Sequence, residues 1–492
     1  MPGLMICGTS SDAGKSTVVT GLCRLLARRG IKVAPFKAQN MALNSYVTPS
    51  GHEIGRAQGI QALAARVTPE VAMNPILLKP TGERTSQVVV LGRPWAHLDA
   101  AAYHEAKPRL FGIVVDALDD LRQRFDVVIC EGAGSPAEIN LLDHDIVNLR
   151  VAEAAGFPAV VVGDIDRGGV FAALYGTVAL LPDRYRHLVK GFVINKFRGD
   201  PALLGDGPAE LHRRTGVPTL GVLPYLHDVA LDAEDSLALS GRRPRPATAP
   251  TPEQGELDVA AIRFPRIANF TDLDALAIEP GLTVRLVETP AALGDPDLVI
   301  LPGTKATVAD LEWLRGRGFP GAISTAVDRN ATVLGICGGY QMLGRTITDP
   351  VESGRPGPVE ALGWLPAVTV FEPTKVTRQR RGRAGQHRVT GYQIHHGRTT
   401  ATDPWFTLDD AYGNGPDGST ACHGAVKGTT LHGLFEEDGF RTAFLEEVAA
   451  RRGKRWRGSV VSFAAARESQ IDRLADLLEA HLDLDAVEAL LT

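Results

Sequence analysis

The sequence predicts an α/β chain of two doubly wound domains: an N-terminal, P-loop-like parallel sheet and a C-terminal sheet of similar design. Three observations carry that prediction. Short, continuously apolar runs alternate with helix-period stretches and end in polar residues, the pattern of parallel strands covered on both faces. A glycine loop sits between the first apolar run and the first helical pattern. In the second half, a cysteine flanked by small residues occupies the same strand-to-helix position.

Bulk properties narrow the class. At 492 residues the chain exceeds what one core supports, so two or more domains are expected. Hydrophobic residues make up 44% and charged residues 22%, with a net charge of -5, which disfavours nucleic acid as the main partner. The start, Met1-Pro2-Gly3-Leu4, lacks the cationic and apolar regions of a signal peptide. No run approaches the roughly 20 apolar residues that span a bilayer. Five scattered cysteines, Cys7, Cys23, Cys130, Cys337 and Cys422, form no CxxC pair. A cytoplasmic enzyme of small molecules, without membrane partners, is the expectation.

Leu4–Cys7 reads as the first strand and runs into Gly8-Thr9-Ser10-Ser11-Asp12-Ala13-Gly14-Lys15-Ser16-Thr17. Val18, Val19, Leu22, Leu25 and Leu26 then share a helical face, and Gly30 closes that helix. Inward-turned backbone N–H groups and the helix N-terminus make a phosphate cradle. Thr9, Gly14, Lys15, Ser16 and Thr17 are therefore assigned to ATP, and the Ser16 hydroxyl to Mg²⁺. Five residues separate Gly8 from Gly14, one more than the common pattern.

Ile31–Phe36 is the next strand, with Gln39 and Asn40, candidates for contact with the larger substrate, in the polar cluster beyond its end. Strand ends face the ligand crevice in doubly wound sheets, although an amide-rich surface turn fits as well. Glu53, Arg56, Gln58 and Gln61 are spaced to share a helix face, and Asn74–Pro80 reads as a strand. Val127–Cys130 delivers Glu131, a natural Mg²⁺ ligand opposite the loop. Ala159–Gly163 delivers Asp164 and Asp166, and Gly191–Ile194 delivers Asn195 and Lys196. The last two either contact the nucleotide base or form a solvated strand end.

A Pro/Arg/Thr-rich connector, including Gly241–Pro246, marks a linker. The expected division is 1–235, linker 236–256, a second domain 257–450 and a helical segment 451–492. Strands then recur at Val259–Ile262, Val284–Val287, Leu298–Leu301 and Thr332–Ile336. The last leads into Cys337-Gly338-Gly339-Tyr340-Gln341, a nucleophile elbow whose helix N-terminus favours the thiolate. Gly303 and Gly338 are candidates for the oxyanion hole. Gly428–Leu431 ends at His432, a base on a strand tip. Cysteine, histidine and glycine loop together predict thiol-based acyl transfer.

The longer phosphate loop resembles the dethiobiotin-synthetase type, whose members activate carboxylates with ATP. Gly335–Gln341 and Thr430–Phe435 resemble the class I-type glutamine amidotransferase domain of the cobyrinate amidating enzymes. Pro35–Asn44, Gly55–Gln58, Gly163–Gly169, Asn195–Gly199 and Gly391–Gly397 extend the resemblance over nearly the whole chain. They single out the branch acting on adenosylcobyrinic acid a,c-diamide. The resemblance implies ATP- and glutamine-dependent amidation of four peripheral carboxylates, b, d, e and g. It places Gln341 with Gly303 and Gly338 at the glutamine site. Two other readings fit less well. Lys37-Ala38-Gln39-Asn40 speaks against the sister a,c-diamide synthase, which resembles Val-Gly-Pro-Asp there. Intact Cys337 and His432 speak against an ATP switch with an inert amidotransferase fold.

One departure from class I amidotransferases concerns the histidine. Leu434 stands where His-x-Glu enzymes carry the orienting carboxylate, so a Cys337–His432 dyad is expected. Glu436 and Glu437 are near in sequence but unassigned. Finally, Lys375–Arg388 is basic and broken by glycine, predicting a mobile loop or hairpin tip. It reads either as a solvated charged loop or as a cationic patch in which Arg380, Arg381 and Arg383 attract the polyanionic corrinoid.

Overall fold

A computed structural model describes residues 2–491 except 83, 227–255, 410–414, 457 and 459–461. Most of the expected linker, 236–255, therefore lies outside the described residues.

The first sheet is parallel throughout, in the order Thr219–Pro224, Val189–Phe197, Ala159–Asp164, Gly3–Gly8, Val127–Glu131, Val33–Phe36. Its apolar runs are continuous because both faces are covered. Met5, Cys7, Val128 and Cys130 enter one core, while Leu4, Ile6, Val127 and Ile129 enter the other. Gly3–Gly8 sits centrally, so its C-terminal end brings the phosphate loop to the middle of the strand-end edge.

The C-terminal segment returns to this domain. The Phe463–His481 helix, capped by Ser462, packs on the Lys15–Arg28 helix. Gly21 permits that approach, since a Cβ there would fall 2.9 Å from the Leu474 carbonyl oxygen. Buried Arg24 pairs with Glu468 at 2.7 Å and Asp472 at 3.2 Å.

The second sheet runs Leu282–Val287, Leu257–Ile262, Leu298–Leu301, Thr332–Ile336, Val426–Thr429, with antiparallel Ser419–Ala421 at its edge. Val299 and Val333 face one core, Ile300 and Leu334 the other. Ile76–Pro80 is a strand, as expected, in a four-stranded sheet with Gln39–Met41, Thr85–Val90 and Arg93–Asp99. One expected grouping does not hold. Glu53 lies on the short strand Glu53–Gly55, off the Arg56–Ala64 helix that carries Gln58 and Gln61. The basic stretch takes the hairpin alternative: Ala367–Ala384 pairs with His387–Ala401 from Ala367–Ala401 to Ala384–His387, with one break in register between Phe371 and Val376 and a tip at Gly385-Gln386. Cross-strand backbone pairing outweighs the charge there. Among the described residues no helix is long and apolar enough to cross a membrane.

Candidate active site

The glycine loop opens onto a cleft of about 1340 Å³. Gly14, Lys15, Ser16 and Thr17 line it, together with Gln39, Asn40, Glu131, Asn195 and Lys196. Thr9, also in the loop and assigned to ATP, is not among the cleft-lining residues; its N–H bonds the Val162 carbonyl. Gly14 has a φ of 106°, and a Cβ there would overlap the Asn195 amide at 1.9 Å. Asn195 Nδ2 donates to the Ala13 carbonyl and Lys196 Nζ to the Asp12 carbonyl, so both residues brace the loop. Lys15 Nζ donates to the Ser10 carbonyl at 2.9 Å and the Gly134 carbonyl at 3.2 Å.

Glu131 is a hub. Its Oε1 accepts from Ser16 Oγ and Lys37 Nζ, both at 2.9 Å, and its Oε2 accepts from Gln61 Nε2. A hydroxyl and a carboxylate oxygen side by side at the cleft are the hard donors that a nucleotide-bound Mg²⁺ takes from protein. The donor set fits that ion. Lys37 and Gln61 were not anticipated on Glu131, because a strand end and a helix face meet only in the folded chain.

The cleft lies between domains. Pro265, Arg266 and Phe270 line it from the second domain, and Arg467, Gln470 and Ile471 from the C-terminal helix. Gln39 accepts from the Tyr103 hydroxyl and Asn40 donates to Gln58 Oε1 at 3.0 Å. The hairpin arginines are elsewhere. Arg380 is buried, bonded to the Leu408 carbonyl and near Asp417, while Arg381 and Arg383 are exposed. None of the three is among the cleft-lining residues, so the expected cationic patch has no structural support beside the cleft. The hairpin instead braces the second site. Tyr392 exchanges backbone hydrogen bonds with His432, at 3.0 and 2.9 Å, and stacks on its ring.

That second site surrounds Cys337. The residue takes φ 51°, ψ -107°, outside the usual regions for a non-glycine residue, at the turn between Thr332–Ile336 and the Gly338–Leu343 helix. Gly339 makes the turn possible, since a Cβ would lie 1.9 Å from the Leu301 carbonyl oxygen. Cys337 shares a small pocket with His432, which is fully buried, and its sulfur acts on the imidazole's titration.

The orienting carboxylate that sequence spacing lacks comes from a different loop. Asp272 Oδ2 bonds His432 Nδ1 at 2.7 Å, and its Oδ1 accepts the Gly433 N–H at 2.7 Å. The expected dyad is thus a Cys337–His432–Asp272 triad. Burial alone would lower the His432 pKa, but Asp272 and the Cys337 sulfur raise it from 6.5 to about 10. Asp272 and the sulfur thus favour the imidazolium, while burial opposes it. Glu436 instead pairs with Arg56 and Arg467, each at 3.1 Å, and Glu437 faces Arg388. The available signal for Asp272 was its place in the polar Asn269–Asp272 turn beyond the end of a parallel strand.

A pocket of about 40 Å³ adjoins the triad, lined by Gly303, Gln341, His395, His396, Lys305, Glu352, Lys79 and Lys375 among others. Gly338 does not line it but directly follows the nucleophile as the first helical residue. Gln341 accepts from Thr307 at 3.3 Å, and its Nε2 has no partner among the described residues. His395 and His396 lie next to backbone carbonyls through Nδ1, at 2.7 and 3.0 Å. A carbonyl only accepts, so Nδ1 carries the hydrogen. Burial pushes the His395 pKa down to about 3 and lowers that of His396, so both rings are neutral and offer Nε2 as an acceptor. Lys79 reaches the pocket from the first domain, paired with Glu53, which also holds Lys375.

A phosphate loop at one cleft and a cysteine triad at another, in one chain, define a glutamine-dependent amidating ligase. Comparisons with known proteins agree. A model of the CobQ/CobB/MinD/ParA nucleotide-binding domain matches residues 4–238, and one of the CobB/CobQ-like glutamine amidotransferase domain matches residues 258–440. The cobyric acid synthase of Streptomyces coelicolor is 53% identical over 490 residues, covering 99% of this chain and 95% of that one. That of Frankia casuarinae is 52% identical over 511 residues (99% and 96%), and that of Rhodococcus jostii 53% over 492 (99% and 95%). The chain belongs to the cobyric acid synthase family.

Proposed function

We propose that the chain amidates the b, d, e and g carboxylates of adenosylcobyrinic acid a,c-diamide to give adenosylcobyric acid in cobalamin biosynthesis. ATP activates each carboxylate and glutamine supplies the nitrogen. The observation that carries the reading is the intact Cys337–His432–Asp272 triad in the same chain as a complete phosphate loop.

At the small pocket the Cys337 sulfur attacks the glutamine side-chain carbonyl carbon. The N–H groups of Gly303 and Gly338 are assigned to the developing oxyanion. The His432 imidazolium donates its proton to the leaving nitrogen, and ammonia departs. Neutral His432 then takes a proton from water, which cleaves the thioester to glutamate and restores the thiol. Gln341 Nε2 donates and the Nε2 atoms of His395 and His396 accept, which suits an amino acid bearing a carboxylate, an ammonium and an amide.

At the large cleft the γ-phosphoryl of ATP passes to a corrinoid carboxylate oxygen, leaving ADP and an acyl phosphate. Lys15 follows the charge on the transferring group. Ser16 and Glu131 would hold Mg²⁺, which when bound neutralises phosphate charge. Ammonia attacks the acyl carbon, phosphate leaves, and one amide has formed per ATP and glutamine consumed. Mass analysis of the corrinoid after incubation with ATP and glutamine tests the reading. Four successive carboxylate-to-amide shifts are expected, and an unchanged diamide overturns it.

A further inference from the structure

The turn that carries Asp272 also touches the other side of the catalytic imidazole. Asn269 is buried in a left-handed conformation, φ 52°, ψ 38°. Its Oδ1 accepts the backbone N–H of Ser45, in the ATP domain, at 2.9 Å. Its Nδ2 lies 3.3 Å from His432 Nε2. One residue on, the Phe270 N–H donates to Asn44 Oδ1 at 3.2 Å. Two adjacent residues of each domain are therefore stitched together, directly against the catalytic base.

The direction of the amide follows from its partner. Ser45 offers a hydrogen, so the oxygen of Asn269 faces the ATP domain and the nitrogen faces His432. Ser45 directly follows the Gln39–Asn44 stretch that lines the large cleft, and its hydroxyl is tied to Glu53 and Lys79, the latter lining the small pocket. Asn269 thus stands between the residues of one cleft and the reactive histidine of the other.

We propose that Asn269 is a positioning residue through which the ATP domain's 39–45 stretch sets the His432 imidazole, so that ligands in the large cleft govern the rate of glutamine hydrolysis. With Ser45 holding the oxygen, an N–H donor is directed at Nε2, where it opposes the Nε2–H needed beside the cysteine sulfur. A shift of the 39–45 stretch on ligand binding frees the amide to turn its oxygen to Nε2–H, which favours the imidazolium. The inference rests on the reading that ammonia made at Cys337 is consumed at the large cleft. Its failure is distinguishable from failure of that reading.

The experiment compares glutaminase rates of the full chain with and without ATP and the a,c-diamide, over a pH series. For the parent the ligands should raise the rate. Asn269→Ala should lose that stimulation by about tenfold, within the usual range of coupling between two sites. Ammonia-driven amidation, which bypasses Cys337, should stay near the parent's and serves as the folding control. Asn269→Asp keeps an acceptor for Ser45 but gives His432 an oxygen in place of the N–H. It should hydrolyse glutamine with or without ligands, with an altered pH profile. Asn44→Ala, which removes the neighbouring stitch without touching His432, should weaken the stimulation. Parent-like stimulation in both Asn269 variants overturns the proposal, as does a parent glutaminase indifferent to cleft ligands. A parent that never amidates the diamide, with either nitrogen source, overturns the functional reading instead.

Discussion

The cleft over the phosphate loop and the pocket at Cys337 hold their reactive groups in different ways. The first is wide and lined by residues from both domains and the C-terminal helix. Its lysine is held by backbone carbonyls, and its main carboxylate is shared among Ser16, Lys37 and Gln61. The second is small, and its charges are locked in buried pairs: Asp272 with His432, Glu53 with Lys79 and Lys375. The difference matches the chemistry. Phosphoryl transfer to a large polyanion needs room, whereas thioester formation needs one nucleophile fixed against one base.

Replacing one reactive group at each site gives the sharpest test of that division. Cys337→Ala should abolish glutamine-driven amidation and leave the ammonia-driven reaction, measured by corrinoid product with each nitrogen source. Ammonium that restores nothing in a folded variant would break the division. Lys15→Ala should reverse the pattern. Amidation falls with either source, by about 10³-fold or more, while glutamine hydrolysis continues. Retained ammonia-driven amidation would remove Lys15 from phosphoryl transfer.

Asp272→Asn tests whether the third triad member acts as the geometry implies. Glutaminase kcat should drop by about 10²- to 10³-fold, below the loss for the nucleophile. The pH dependence has a definite sign. The His432 pKa is raised from 6.5 to about 10, so the linked stability is full below about pH 6.5 and is lost as the pH rises toward 10. The variant should therefore lose most thermal stability relative to the parent at low and neutral pH, with the gap closing near pH 10. A gap independent of pH would assign Asp272 to packing alone.

Glu131→Gln should weaken Mg²⁺ dependence by about tenfold, because a hard cation prefers a charged oxygen. A metal titration of ATP-dependent turnover checks it, and an unchanged curve leaves Glu131 as the partner of Lys37. The smallest effect is expected at the hairpin. Arg381→Gln with Arg383→Gln should leave the corrinoid KM within about twofold even at low salt, since exposed charges steer weakly. A larger rise would restore the cationic patch to the recognition of substrate.

Much of this was legible in the chain itself. The alternation of buried strands and helices, the phosphate loop from Gly8 to Thr17, Cys337 at its elbow and His432 on a strand tip are all local patterns. Each is dictated by residues a few positions apart: periodicity, glycine at a tight turn, a polar residue at a strand end. What only the tertiary structure decided is which strand ends meet. Asp272 lies 160 positions from His432, yet completes its triad. Asn269 joins Ser45 to His432, and Lys37 and Gln61 converge on Glu131. The hairpin from 367 to 401 took strand geometry against its charge, because fourteen paired positions of backbone and the docking of Tyr392 on His432 outweigh the pull of water on its arginines. Contacts of this kind leave no periodic trace, since they depend on how separately specified layers pack, and packing is settled by the shape and burial of the whole core.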